Sequence, residues 1–154
     1  MKSLTDVAQY CTFWIDDLFF GVDVDDVQEV LRHQPMTPVP RASEGIQGLI
    51  NLRGHIVTAV DLRFRLGLRP RVDDRLPMNV IVRSRGEVVS LLVDDIGDVV
   101  DADGLTFEQI PSNMPAEVQQ VVHAVRPLPD KLMLVLDSDR AVEVPAAEPV
   151  GVTA

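Results

Sequence analysis

Side-chain catalysis needs a nucleophile, an acid–base pair or a metal held at close quarters, and this chain has few residues able to supply them. The three histidines, His33, His55 and His123, are scattered and fit no H-E-x-x-H or Cys/His spacing, so they read as surface or edge residues. The one cysteine, Cys11, lies in an alternating apolar stretch and reads as a small core residue with no partner for an internal disulfide. No G-x-S-x-G, G-x-x-x-x-G-K-S/T or G-x-G-x-x-G occurs, which leaves neither a nucleophile elbow nor the usual phosphate cradle. The aspartates at 94, 95, 98, 101 and 103 invite a calcium loop. With Gly104 set on the loop glycine, however, Val99 takes the first ligand position and Ile110 the last, so the run reads as a solvated acidic turn. Asp25 and Asp26 are adjacent and point apart, which is unsuited to paired acid–base work. The chemistry left is recognition, with Arg53 as its best candidate: a guanidinium at a turn tip can grip a carboxylate or a partner backbone.

Arg53 sits in Gly48-Leu49-Ile50-Asn51-Leu52-Arg53-Gly54-His55-Ile56-Val57-Thr58-Ala59-Val60-Asp61-Leu62-Arg63. Two apolar arms flank Arg53-Gly54, which predicts a hairpin with a two-residue turn, Gly54 taking the positive φ. Alternation puts Ile50, Leu52, His55 and Val57 on one face and Leu49, Asn51, Ile56, Thr58 and Val60 on the other. Both sets are mostly apolar, so the hairpin is expected to be covered on two sides.

Around it, Tyr10–Ile15 and Leu18–Val22 predict a hairpin turning at Asp16-Asp17, with Cys11, Phe13 and Ile15 inward and Trp14 outward under partial cover. Asp23 or Asp25 is expected to cap a short helix with Val24, Val27, Val30 and Leu31 on its apolar stripe and Glu29 exposed. Pro35, Pro38 and Pro40 force an extended connector, and Ser43-Glu44 begins a turn. Asp61 caps a single helical segment, Leu62–Leu66, closed by Gly67 and punctuated by Arg63 and Arg65. Met78–Val82 and Val88–Val93 predict a further hairpin, Ile96 with Val99 and Val100 a short strand, Val118–Val125 a strand, and Leu132–Leu136 a late strand. Asp137–Ala141 starts a helix that Pro145 stops.

The composition is that of one ordinary globular domain: 154 residues, 46% apolar and 25% charged. With 14 basic against 24 acidic residues and a net charge of −10, nucleic acid and anionic membranes are poor partners. There is no 18-residue apolar run and no signal-peptide core near Met1-Lys2-Ser3, so a cytoplasmic location without membrane insertion is expected. Residues 1–9 read as a flexible lead-in and 145–154 as a disordered tail. About eight short β segments with turn signals point to small barrels or a sandwich.

Asn51-Leu52-Arg53-Gly54 with Ile56-Val57 and Val60-Asp61-Leu62-Arg63 resembles the signature segment of the CheW chemotaxis adaptor family. Phe20–Val24 followed by Val27–Val30, Val89–Val93 with Asp95, Leu105–Ile110 and Met133–Leu136 fall where that family has matching pieces, in order over about residues 10 to 137. The resemblance implies an all-β fold of two SH3-like five-stranded barrel lobes packed side by side with short helices, in one domain over 10–144. The middle segment, about 38–82, is then expected to form most of one lobe. It implies a non-catalytic adaptor without cofactor or metal, joining a CheA-type histidine kinase regulatory domain to the cytoplasmic tip of a chemoreceptor. The chain would be monomeric in isolation and assembled in arrays. The partner-binding residues it implies are Val27, Glu29, Gly48, Asn51, Leu52, Arg53 and Gly54, with Glu29 meeting Arg53 at a groove between the lobes and Gly48 doubling as a turn glycine. The same adaptor in a non-flagellar pathway, such as twitching motility or surface sensing, and a small β-barrel metal or ligand binder are the alternatives. At His55 and Thr58-Ala59 the chain departs from the family pattern.

Overall fold

The computed structural model describes residues 6–40, 45–71, 76–104 and 106–143, and they form two antiparallel-rich sheets joined by short helices. The strands are β1 (Gln9–Ile15), β2 (Leu18–Asp23), β3 (Val27–Leu31), β4 (Ile46–Leu52), β5 (His55–Asp61), β6 (Met78–Ser84), β7 (Glu87–Val93), β8 (Asp95–Ile96), β9 (Val100–Asp101), β10 (Val122–Pro127) and β11 (Leu132–Leu136). The helices are α1 (Leu62–Arg65), α2 (Ala116–Val121) and α3 (Ser138–Val142). The first sheet runs β10-β11-β2-β1-β8 with β9 also on β1, and the second runs β3-β6-β7-β5-β4. The expected five strands per sheet hold for the second. The first has six, because the acidic stretch lays down two separate pieces on β1.

Where alternation met a turn signal, expectation and structure agree. β1 and β2 turn at Asp16-Asp17, β6 and β7 at Arg85-Gly86, and β4 and β5 at Arg53-Gly54, each in two-residue register. Asp61 caps α1, its carboxylate accepting from the Arg63 N–H at 3.1 Å, and Gly67 follows with φ 72°. Asp137 caps α3 in the same way.

Three expectations are corrected. The helix expected over 24–31 is a single 3-10 turn, Val24–Asp26, followed by β3. Val27, Val30 and Leu31 pair with Val82, Val80 and Asn79 of β6, and β-branched side chains gain more from that ladder than from one isolated helical turn. The strand expected from Val118 begins at Val122. Ahead of it, Pro115 ends the loop and α2 buries Val118 and Val121, three residues apart on one face. The lead-in is shorter than residues 1–9: Val7 is buried beside Tyr10, and β1 starts at Gln9. The turn expected at Ser43-Glu44 and the tail from Pro145 lie outside the described residues.

One apolar cluster spans both sheets. Phe13, Ile15, Phe20, Val22, Leu134 and Leu136 of the first sheet pack with Val60, Val80, Val82, Leu91 and Val93 of the second, and α1 and α2 add Leu62, Val118 and Val121. Each sheet also has a smaller cluster. Tyr10, Phe19, Met133 and Val135 pack with half-buried Trp14, whose ring lies 4.7 Å from that of Phe19, and Ile50, Leu52, Val57, Ala59, Ile81 and Leu92 fill the second sheet. No described helix is long and apolar enough to cross a membrane.

Arg63 does more than punctuate α1. Its side chain is 8% exposed, and Nη1 donates to Asp16 in the β1–β2 turn at 2.6 Å and to Asp94 after β7 at 2.7 Å. Nε donates to the Arg69 carbonyl at 2.7 Å. Asp94, 6% exposed, also accepts from the Asp16 N–H and from Arg71, so its place in the acidic stretch is a buried junction rather than a solvated turn. Arg63→Ala leaves Asp94 with Arg71 and the Asp16 N–H alone and is expected to cost about 1–3 kcal/mol in a denaturant titration.

Candidate functional site

Asn51-Leu52-Arg53-Gly54 builds a turn that presents one side chain. Arg53 and Gly54 have φ of 54° and 88°, the two positive values of a type I′ hairpin. Glycine takes this geometry freely; arginine does so against the preference of its Cβ. Asn51 supports the turn, its Oδ1 accepting from the Gly54 N–H at 2.8 Å, while Leu52 is buried beneath it. Asp16 and Arg85 take similar φ in the other two hairpins, so the strained conformation belongs to the turn type and not to this site alone.

Arg53 is met by Glu29 from β3. Nη1 and Nη2 donate to the two carboxylate oxygens at 2.6 and 2.5 Å, a fork-to-fork pair with side-chain exposures of 66% for Arg53 and 20% for Glu29. β3 and β4 are the outermost strands of the second sheet, so the pair bridges from one edge to the hairpin at the other. Leu31 of β3 likewise packs on the same cluster as Ile50 and Leu52 of β4. The hydrogen bonds from Arg53 hold the Glu29 carboxyl below its usual range, and Glu29 in turn raises the Arg53 guanidinium.

Beside the pair opens a groove of about 680 Å³, lined by Gln28, Leu52, Arg53, His55, Ile56, Val57, Thr58, Glu87, Val88 and Val89. All of these residues, like Glu29, lie on strands of the second sheet or at its Arg53 turn. Val57 and Ala59 are buried on one face of the hairpin and Val60 on the other, so it is covered on two sides at its base, while Ile56, 65% exposed, and His55 stand in the open near the tip. Ile56 and Val88 were missed as site residues. No local signal marks them, because whether an apolar strand face is covered depends on which distant segment crosses it.

The remaining expected contacts fall to the interior. Gly48 lies within β4, not in a turn, and is buried: a Cβ there would stand 2.8 Å from the Thr37 carbonyl oxygen, part of the segment that bridges to Leu49. Its identity thus follows from close packing. Val27 is half-buried and packs against the shared cluster. The structure brings Glu29, Asn51, Arg53 and Gly54 together at the surface and sets Val27, Gly48 and Leu52 in supporting positions.

A catalytic arrangement does not emerge from this geometry. Among the described residues no three His, Cys, Asp or Glu side chains are grouped to hold a metal. Cys11 is half-buried, and burial raises its thiol pKa, which makes it a poor nucleophile. What the site combines is a charged fork, an apolar floor and an open rim, the materials of a protein interface.

The CheW-like domain family model matches residues 9–145. The chain is similar to the Chemotaxis protein CheW of Thermotoga maritima, 29% identical over 148 residues that cover 93% of this chain and 95% of that one. A stretch of 71 residues is 37% identical to the Protein FrzA of Myxococcus xanthus, covering 42% of this chain and 44% of that one. Among solved structures, the scaffolding protein TtCheW from Thermoanaerobacter tengcongensis matches with a TM-score of 0.74 at 27% identity, over 84% of this chain and 88% of that one.

Two outcomes are expected. Arg53→Ala and Glu29→Ala leave the unfolding midpoint unchanged, whereas Gly48→Ala lowers it, because the Thr37 backbone must move. In an NMR titration Glu29 titrates below its ordinary value of 4.5 and returns towards it in Arg53→Ala. A lowered carboxyl pKa places the pair's contribution above the ordinary value, to be lost as pH falls through the folded one.

Proposed function

The chain belongs to the CheW-like domain family, and from that membership we propose that it is a non-catalytic adaptor coupling a CheA-type histidine kinase to the cytoplasmic tips of chemoreceptors. The observation that carries the reading is the Glu29–Arg53 fork at the rim of a groove with Ile56 exposed on it. A strained turn and an asparagine brace both serve to hold Arg53 outward, and arginine beside exposed aliphatic surface is a common composition of binding hot spots. The names of the relatives, a chemotaxis protein and a scaffolding protein, support the same role. The adaptor works in the cytoplasm, where it meets the kinase regulatory domain and the receptor tip. One kinase contact per lobe lets kinase and adaptor alternate in rings, so modest individual contacts gain strength by multivalency. Val27, Gly48, Asn51, Leu52 and Gly54 contribute as the frame of this surface.

The partial match to FrzA supports a second reading, in which the same adaptor serves a receptor–kinase pathway that does not drive flagella. The surface chemistry required is identical, and only the partner differs.

Pull-down and calorimetry with a CheA-type regulatory domain and with a receptor-tip fragment test the proposal. Binding by the wild type and a loss of roughly tenfold in Arg53→Ala, the size of a hot-spot truncation, are expected. Absence of binding to both partners by the folded wild type would overturn it.

A further inference from the structure

The two sheets are held together in two physically different ways. The shared apolar cluster is non-directional: its free energy depends on area removed from water and tolerates small rotations of one sheet against the other. The junction at Arg63 has no such tolerance. Asp16 belongs to the β1–β2 turn of the first sheet, while Arg63 on α1 and Asp94 after β7 extend the second. Five hydrogen bonds meet here: Arg63 to Asp16, to Asp94 and to the Arg69 carbonyl, the Asp16 N–H to Asp94, and Arg71 to Asp94, all between 2.6 and 3.1 Å. The Asp94 N–H adds a bond to the Trp14 carbonyl at 3.0 Å, tying the end of β7 directly to β1. Replacing a buried ionic group by apolar residues is often neutral or stabilising, so net stability does not account for such a junction, and a network satisfied in only one arrangement specifies geometry instead.

We propose that Arg63 is a positioning residue: the Asp16–Arg63–Asp94 clasp fixes the angle between the two lobes, and with it the relative direction of their outward surfaces. This goes beyond the adaptor reading, but its functional consequence rests on it. A ring closes only if each member turns the chain of contacts through a set angle, whereas a single contact needs only its own lobe.

The test uses full-length protein carrying Cys11→Ala with spin labels at Gln47→Cys on β4 and Glu108→Cys, which is exposed and bridged to Val125 of β10. The double variant Arg63→Met with Asp94→Asn removes the clasp without leaving its central charges unpaired. A narrow inter-label distance distribution is expected with the clasp intact and a widened or shifted one in the double variant, the circular dichroism being unchanged. Binary affinities for the kinase regulatory domain and the receptor fragment are expected to persist while co-sedimenting three-component assemblies are lost. An unchanged distance distribution would overturn the clasp, as would full co-assembly by the double variant. If the wild type binds no partner, the adaptor reading fails while the distances still decide the clasp. Should the double variant not fold, Asp16→Ala cuts only the partly exposed arm, and the distances are read in the same way.

Discussion

Neither sheet has enough apolar surface of its own to make a stable lobe, and the remaining features of the molecule follow from that shortage. Phe13, Ile15, Phe20, Leu62, Leu91 and Leu134, all deeply buried, come from both sheets and from α1, and they meet in one cluster. Small cores bury too little of their unfolded surface to stand alone, and here the two sheets share one interior. Apolar contact leaves the mutual orientation loosely set, and the buried ionic junction of Asp16, Arg63, Asp94 and Arg71 supplies the missing directionality.

The same chain segment places two arginines in opposite environments. Arg53 stands 66% exposed at the tip of a hairpin and Arg63 is 8% exposed on α1. Each bonds to carboxylates, yet the consequences diverge because water competes for one pair and not for the other. The exposed fork contributes little to folding and is free to serve a partner. The buried one cannot leave its place without taking from Asp94 its shorter cation contact. Between them β5 carries Val57 and Ala59 into the small cluster of the second sheet and leaves Ile56 in the open, so a single strand connects the Arg53 turn to the buried junction at Arg63.

Much of this was legible from the sequence where a local rule was strong. Asp16-Asp17, Arg53-Gly54 and Arg85-Gly86 each interrupt alternating apolar residues, and all three became two-residue turns. Asp61 reads as a cap and is one, and the helix start read at Asp137 is there with Asp137 as its cap. Local rules failed where long-range pairing decided the outcome. Val24 to Leu31 has helical spacing, but β6 offered a ladder; Val118 to Val125 is β-rich, but its first half had a helix start after Pro115 and an apolar face to bury. At the site, Glu29 and Arg53 could be named as surface residues, while their contact came only from the family resemblance, since it joins strands at opposite edges of a five-stranded sheet. Arg63 gave no signal at all, since a basic residue in a short amphipathic turn looks the same whether it faces water or a buried carboxylate.

The strand order carries a consequence for how the polypeptide reaches this state as it leaves the ribosome. β2 lies between β1, its immediate neighbour in the chain, and β11, with which it pairs in parallel through Met133, Leu134 and Val135. The second sheet, from Val27 to Val93, has all its strands once β7 has emerged, whereas the first must wait for the last segments of the domain. Until then Phe20 and Val22 lack their final neighbours, and such delayed long-range closure is slow and leaves apolar strand surface open to chaperones or to aggregation.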